Sequence, residues 1–194
     1  WSVTGVQTCA LPILEFTPVS EQFEAIKPWV GAVVAPSNPP PLSSAPPENN
    51  LELEWVYGYR AQDARNNVRY TASGSIVYSA AAVGVVLNPA NNTQLFNMAH
   101  TDDVICVAVH PEGKYVATGQ VGARPSIVVW NAVTGETEQI LFGFHRRAVC
   151  QLDFSPDGDM LASVGQDDDH SIAVYRWADG SCCGKTKGDQ NKVL

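Results

Sequence analysis

Residues 100–119, HTDDVICVAVHPEGKYVATG, match residues 145–164, HRRAVCQLDFSPDGDMLASV, at an offset of 45 residues. Without any gap, this offset superposes valine, proline, glycine and alanine positions, namely Val104 on Val149, Pro111 on Pro156, Gly113 on Gly158 and Ala117 on Ala162. Both copies predict a strand, a Pro-x-Gly turn, a strand, a loop, a strand and a glycine turn. Glycine favours such reversals because it tolerates the positive φ that tight turns require. The chain is therefore predicted to be an all-β repeat protein.

Two incomplete copies flank this pair. Residues 76–96 predict a compact unit of three strands, and residues 190–194 predict the start of a further repeat. This repeat of about 45 residues resembles the WD40 β-propeller, in which each blade has four strands. Propellers of this kind usually close with about 4–8 blades around a central channel. Two complete blades and two partial ones do not close a ring, so we expect the sequence to be a fragment of a larger propeller protein.

The segment before the repeats alternates apolar and acidic residues. Residues 51–60, LELEWVYGYR, place Leu51, Leu53, Trp55, Tyr57 and Tyr59 on one side of a predicted strand with one solvated face. Residues 35–50 are rich in proline, serine and asparagine, which predicts an exposed loop. The P-x-x-P spacing of this loop is also compatible with an SH3 ligand, although a plain loop is favoured.

Residues 26–36, IKPWVGAVVAP, together with residues 51–88 resemble the HELP motif of the echinoderm microtubule-associated protein-like (EMAP-like) family. The resemblance extends from residue 22 to residue 194. It implies that the HELP segment is part of the propeller core rather than a separate domain. The aromatic residues expected in that core are Trp29, Trp55, Tyr57 and Tyr59, since a free-standing aromatic stripe would be an aggregation hazard.

These features predict a division of the chain along its length. The predicted units are an unassigned leader at 1–21, the HELP motif at 22–88, a compact first blade at 76–96, full repeats at 100–144 and 145–189, and the start of another at 190–194. Residues 3–13 resemble the translation of a sequencing-library adapter primer, and we exclude them from fold reasoning. A targeting signal is disfavoured there because the segment has no basic residue and its apolar run is interrupted by Pro12.

The WD40 resemblance also implies a hydrogen-bonded set in each blade, formed by a His, a Ser or Thr, an Asp and a Trp. Such a set stabilises a blade by satisfying buried polar groups. The matching positions in the two repeats are His100, Thr118, Arg124 in place of Asp, and Trp130, and then His145, Ser163, Asp169, and Tyr175 in place of Trp. Each set has one substitution, so we expect both networks to be incomplete.

Three patterns suggest enzyme or metal chemistry, but each has a structural explanation that we favour. His145, Ser163 and Asp169 have the residue types of a hydrolase triad, but no Gly-x-Ser-x-Gly elbow accompanies them. Residues 180–186, GSCCGKT, are one residue short of a phosphate-binding P-loop. The acidic run at 167–169 lacks EF-hand spacing and is interpreted as a solvated loop. We predict no catalytic residue, metal site or cofactor, and leave the binding residues open.

Composition narrows the classes of partner. The formal net charge is −8 and the pI is about 4.8, which argues against a basic nucleic-acid surface or binding to anionic membranes. No stretch approaches the roughly 20 apolar residues of a membrane span. Apart from Cys9 in the adapter-like segment, the cysteines are Cys106, Cys150, Cys182 and Cys183, without a C-x-x-C pair, and we expect buried free thiols.

The EMAP-like resemblance implies a non-enzymatic, microtubule-associated scaffold in the cytoplasm and cytoskeleton. Its expected partners are tubulin or microtubules and other proteins, with neither nucleic acid nor membrane among them. The alternative is a general WD40 adaptor whose partners are unrelated to microtubules. Because tubulin is acidic and this chain is acidic as well, we expect weak or no binding to the microtubule lattice.

Overall fold

The computed structural model describes residues 34, 36–39, 41, 45–46, 48–65 and 67–188. Trp29, the adapter-like segment and the predicted start of a further repeat lie outside these residues. Within the described part, the regular structure consists of twelve β-strands joined by turns. No helix among these residues is long and apolar enough to cross a membrane. The all-β fold class predicted from the repeats is confirmed.

The first sheet, which we call blade 1, contains four antiparallel strands in chain order. They are β1 (Val68–Tyr70), β2 (Ile76–Ala80), β3 (Val83–Asn88) and β4 (Thr93–Asn97). The turn between β1 and β2 is closed by the Gly74 amide, which donates to the Thr71 carbonyl at 3.0 Å. The sequence pattern predicted a compact first blade at residues 76–96, which does not include β1. With three residues, β1 is too short to show a clear alternation of apolar and polar side chains.

Two further four-stranded meanders follow, which we call blades 2 and 3. Blade 2 comprises β5 (Val104–Val109), β6 (Tyr115–Gly122), β7 (Ser126–Asn131) and β8 (Thr137–Phe142). Blade 3 comprises β9 (Arg147–Phe154), β10 (Met160–Gly165), β11 (Ile172–Arg176) and β12 (Ser181–Thr186). A short antiparallel bridge between β6 and β9 joins the two blades. The succession of similar four-stranded sheets is what a propeller fragment requires.

The core lies between neighbouring blades, and β7 shows how it is built. Ile127 and Val129 belong to the apolar cluster that blade 2 shares with blade 3. Val128 and Trp130 belong to the cluster that it shares with blade 1. Because side chains alternate along a strand, one fully buried strand supplies two interfaces. Each blade is therefore stabilised mainly by its neighbours.

The repeated glycines occupy the turns predicted for them. Gly113 has φ of 70° and donates to the His110 carbonyl at 2.7 Å. Gly158 has φ of 84° and donates to the Ser155 carbonyl at 2.9 Å. A side chain at Gly158 would also collide with the imidazole of His110 in the neighbouring blade. This glycine thus serves both the turn and the contact between blades.

The aromatic stripe of the HELP segment differs from expectation. Residues 51–60 form no strand. Tyr57 is 93% exposed, Tyr59 is 57% exposed and Trp55 is half-buried. Instead of a partner strand, the amide side chain of Gln94 accepts from the Val56 amide at 2.7 Å and donates to the Val56 carbonyl at 2.9 Å. In the described structure Tyr57 and Tyr59 are therefore exposed, and their burial in a complete propeller core stays a prediction.

Candidate functional site

The hydrogen-bonded network of blade 2 joins three predicted residues and one that sequence reasoning missed. His100 Nε2 lies 2.8 Å from Thr118 Oγ1, and Trp130 Nε1 donates to the same hydroxyl at 3.1 Å. His100 Nδ1 lies 2.8 Å from Gln120 Oε1. A carbonyl oxygen only accepts, so Nδ1 carries the imidazole proton and Nε2 accepts from Thr118. All four side chains are buried.

Gln120 occupies the position in the hydrogen-bonded network that the match between the two repeats gave to Arg124. Its oxygen also accepts from Ser126 Oγ at 2.9 Å, while its NH₂ group donates to Thr101 Oγ1 at 3.2 Å. Arg124 is exposed in the following loop. Gln120 lies two residues after Thr118 on β6, and this even spacing, which puts both side chains on one face, is the signal that could have identified it. The expectation of an incomplete network in blade 2 is therefore wrong.

Burial keeps the blade 2 network uncharged. It lowers the pKa of His100 to about 4, and the hydrogen bond with Gln120 opposes the shift only in part. The imidazole is thus neutral at physiological pH and bridges two neutral partners. This network fixes the loop before β5 to the middle of the blade.

Blade 3 builds its network with different groups. His145 Nε2 lies 2.6 Å from Ser163 Oγ, and His145 Nδ1 lies 2.8 Å from Ser171 Oγ. Asp167 accepts hydrogen bonds from the hydroxyl and, at 2.9 Å, from the amide of Ser171. Burial would raise the pKa of Asp167, but these bonds outweigh it and hold the pKa below its usual value. The pKa of His145 is lowered by burial and partly restored by Asp167.

Asp169, which the sequence placed in this network, points elsewhere. Its carboxylate lies 3.1 Å from Lys187 Nζ, and its carbonyl accepts from the Gly188 amide at 2.9 Å. Among the three adjacent aspartates, Asp167 is the one whose side chain returns to Ser171. Asp167 therefore replaces Asp169 as the acidic member of the network.

Tyr175 occupies the position in blade 3 that Trp130 occupies in blade 2. It is 4% exposed and packs in the core between blades 2 and 3. Burial, followed by the nearby Cys182, raises the pKa of its phenol, and a hydrogen bond with Ser163 acts in the opposite direction. Tyr175 thus contacts the same serine that His145 bonds, although it stands in the position where the WD40 resemblance implies a Trp.

The hydrolase-like residues form a closed structural arrangement. Ser163 is 0% exposed, and its hydroxyl lies 2.6 Å from His145 and 3.4 Å from the Ala173 carbonyl oxygen. A substrate carbonyl has no path to this oxygen. The P-loop-like residues 181–186 form β12, which pairs with β11 along its length. An extended strand does not converge successive amides on a phosphate.

The acidic run at 167–169 is balanced by basic side chains. Arg147 donates to Asp168 through both guanidinium arms, at 2.6 and 2.9 Å. Lys187 contacts Asp169, and Asp167 is engaged by Ser171. Within the described part of the chain, no group of three or more His, Cys, Asp or Glu residues is arranged to hold a metal ion.

The cysteines divide into two classes. Cys106 is buried between blades 2 and 3, where its thiol donates to the Val149 carbonyl at 3.1 Å and burial raises its pKa. Cys150 is half-buried, whereas Cys182 and Cys183 are exposed on β12. The prediction of buried free thiols is therefore correct for Cys106 and wrong for Cys182 and Cys183, because β12 lies at the edge of its sheet.

Hydrogen bonds and ion pairs of Arg60 connect the HELP segment to blades 1 and 2. Its guanidinium donates to Asp63 at 2.6 and 2.7 Å and also to Asp103, in the loop before β5. Its backbone amide donates to the Ser79 carbonyl of β2 at 3.1 Å. The Asp63 hydrogen bond is the main reason that the pKa of Arg60 lies above its usual range. One residue thus connects three parts of the fold.

Sequence reasoning also missed an aromatic cluster between the turns of blades 2 and 3. The Gly158 carbonyl accepts from Trp177 Nε1 at 2.7 Å and from His110 Nε2 at 3.0 Å. The Tyr115 ring lies 5.1 Å from the Trp177 ring, centroid to centroid, and Phe154 packs against His110 at 5.1 Å. The repeat comparison hides this cluster because His110 and Trp177 match non-aromatic residues at the 45-residue offset.

Comparison with known proteins agrees with this architecture. The family model described as the first β-propeller of echinoderm microtubule-associated protein matches residues 93–194, and the HELP motif model matches residues 46–85. The 77 kDa echinoderm microtubule-associated protein of Strongylocentrotus purpuratus is 40% identical over 157 residues, which cover 76% of this chain and 23% of that protein.

Two vertebrate relatives give a similar result. Echinoderm microtubule-associated protein-like 2 of Rattus norvegicus is 36% identical over 159 residues, covering 76% of this chain and 24% of the relative. Echinoderm microtubule-associated protein-like 1 of Mus musculus is 39% identical over 142 residues, covering 68% and 17%. The chain thus spans about a quarter or less of the length of the curated relatives it matches. By these matches and by its bladed structure, the chain belongs to the echinoderm microtubule-associated protein family.

Proposed function

We propose that this chain is part of a non-enzymatic, microtubule-associated scaffold that binds tubulin or other proteins through the rims of its propeller. The observation that carries the proposal is the pair of buried networks, which fix the loops before β5 and β9 to the blade interior. Loops held in this way lose little conformational entropy when a partner binds. The names of the relatives, which are microtubule-associated proteins, favour tubulin among the candidate partners.

Charge limits how the scaffold would meet a microtubule. The chain carries a formal net charge of −8, so long-range attraction to an acidic lattice is absent. We therefore propose contact with soluble tubulin or with another partner, in the cytoplasm and at the cytoskeleton, and weak lattice binding by this segment.

Two measurements on the native full-length protein and on this chain test the proposal. A tubulin pull-down should recover tubulin with the native protein, and sedimentation with microtubules at physiological salt should leave this chain mainly in the supernatant. Saturable co-sedimentation of this chain would contradict the expectation of weak lattice binding. Failure of the native protein to recover tubulin would contradict the microtubule-associated function itself.

The second candidate is a WD40 adaptor whose partners are unrelated to microtubules. The acidic charge is the observation that favours it, because it disfavours an electrostatic encounter with tubulin. The same pull-down separates the two candidates, since an adaptor of this kind would recover other proteins without tubulin.

The burial of Ser163 supports the non-enzymatic part of the proposal. Lys185, in the P-loop-like sequence, lies with its ammonium 5.5 Å from the centroid of the Phe144 ring. An enzyme would show hydrolysis or nucleotide binding that is lost in Ser163→Ala or Lys185→Ala. We expect neither activity in the unmodified chain, and detection of either, with loss in the matching variant, would contradict the proposal.

A further inference from the structure

An aromatic groove of about 330 Å³ opens where the turns of blades 2 and 3 meet. Its walls include the rings of His110, Tyr115 and Trp177. Three exposed carboxylates surround its mouth, those of Glu112, Asp157 and Asp159. The groove therefore combines aromatic faces with negative charge, the two features that favour a bound cation.

The walls of the groove are held in place before any ligand arrives. The Gly158 carbonyl accepts hydrogen bonds from both Trp177 Nε1 and His110 Nε2. His110 Nδ1 accepts from the Glu112 amide at 3.2 Å, so this imidazole donates to the Gly158 carbonyl through Nε2. A preformed groove avoids most of the entropy cost of ordering side chains on binding.

One of the rings that line the groove, that of Tyr115, also contacts a cation of the chain itself. Lys114 Nζ lies 5.0 Å from the centroid of the Tyr115 ring, within the range of a cation–π contact. Lys114 is exposed and is carried by a flexible side chain. The Tyr115 ring is therefore able to make a cation–π contact.

The charges around the groove remain negative after the internal pairs are taken into account. Arg176 also borders the groove, but its guanidinium lies 3.8 Å from the carboxylate of Asp179. The Ser155 hydroxyl and the Asp159 amide hold the pKa of Asp157 below its usual value, so this carboxylate is ionised throughout the physiological range. Among the groove-lining residues, the three carboxylates thus outnumber the one guanidinium, and an incoming group meets a net negative lining.

We propose that this aromatic groove docks a basic segment of a partner protein, with an arginine or lysine side chain stacked on the aromatic walls and its charge facing the three carboxylates. The inference extends the proposed scaffold function by giving one rim of blades 2 and 3 a partner of defined chemistry. A nucleic acid or an anionic membrane is repelled by the same carboxylates. Arginine fits best, because its planar guanidinium both stacks on rings and binds carboxylates in a bidentate manner.

Binding of a fluorescent Arg-Gly repeat peptide to the full chain, followed by anisotropy, tests the proposal without using tubulin. Neutralising the mouth with Glu112→Gln, Asp157→Asn and Asp159→Asn together should weaken binding roughly tenfold, because the charge pairs lie close to the ligand. The matched control neutralises Glu48, Glu52 and Glu54 of the HELP segment, which changes the net charge equally and should alter the affinity by less than about twofold.

A second pair of variants tests the aromatic wall at an exposed position, where folding is not at risk. Lys114→Gln removes the internal cation from Tyr115 and should tighten peptide binding by roughly threefold. Arg124→Gln makes the same change in charge at a distant exposed loop and should leave the affinity unchanged. Equal effects within either pair of variants, or equal binding of a Glu-Gly repeat peptide, would overturn the proposal. Since tubulin is absent from these assays, their failure would leave the scaffold function standing.

Discussion

Blades 2 and 3 each contain a buried histidine network, but the groups that hydrogen-bond to the histidine differ. Both place a buried histidine between the loop before their first strand and a hydroxyl on their second strand. In blade 2 the second partner of the histidine is the amide of Gln120, whereas in blade 3 it is Ser171, which is backed by Asp167. One network is neutral throughout and the other includes a carboxylate.

A single position explains the difference. The residue that corresponds to Gln120 in blade 3 is Gly165. A side chain at Gly165 would collide with His145, Asp167 and Ser171. Without a side chain there, the loop can bring Ser171 and Asp167 to the histidine. The comparison teaches that the repeat conserves the geometry around the histidine rather than the identity of its partner.

The largest expected effect concerns the aromatic member of each network. Trp130 is 0% exposed, donates to Thr118 and lies against Gly84 of blade 1. Trp130→Ala should lower the free energy of unfolding by about 3–5 kcal/mol, because it removes a buried ring and leaves a cavity. Tyr175→Ala should cost about 1 kcal/mol less, since the phenol ring buries less apolar surface.

Urea unfolding of the full chain, monitored by circular dichroism, measures both values. If Tyr175→Ala were as costly as Trp130→Ala, the two aromatic positions would be equivalent despite their different side chains. An unfolding free energy that is unchanged in Trp130→Ala would contradict its assignment to the core.

The second effect is a pH dependence that blade 2 should dominate. The folded-state pKa of His100 is about 4, below the usual value of 6.5, so the unfolded state binds more protons between these values. The contribution of neutral His100 is fully present above about pH 6.5 and is lost as the pH falls towards 4. A shift of this size corresponds to roughly 3 kcal/mol. The loss at His145 should be smaller, because Asp167 favours its protonated form.

Unfolding free energies of His100→Gln and His145→Gln variants, measured from pH 4 to pH 7, separate the two contributions. Both variants are expected to be less stable at neutral pH, so the slope with pH is the quantity to compare. The slope should fall more in His100→Gln than in His145→Gln. The reverse order would show that the neutral network is not the more acid-sensitive of the two.

Much of this architecture can be predicted from the sequence because it depends on local rules. The 45-residue repeat predicts the successive strands and the glycine turns at Gly113 and Gly158. These features follow from side-chain alternation and from the conformational freedom of glycine. Each recurs in the structure at the expected residue.

The remaining features depend on contacts that the repeat does not encode. Alternation predicts that the aromatic stripe of the HELP segment lies on one face of a strand, but alternation does not supply a partner strand. In the structure the side chain of Gln94 provides the hydrogen bonds instead. Arg124 and Asp169 match at the repeat offset, but the loops that carry them follow different paths in the two blades. The network of His100 is instead completed by Gln120, and that of His145 by Asp167 through Ser171.

The smallest effect tests this last correction most directly, because it compares two neighbouring aspartates in one loop. Asp167→Ala removes the acceptor of the Ser171 hydroxyl and amide beside buried His145 and should cost about 1–3 kcal/mol. Asp169→Ala removes an exposed pair with Lys187 and should cost less than about 1 kcal/mol. Both variants lose one negative charge, so a general charge effect cancels between them. If unfolding in urea gave Asp169→Ala the larger loss, the repeat offset would identify the acidic member of the network better than the hydrogen bonds do.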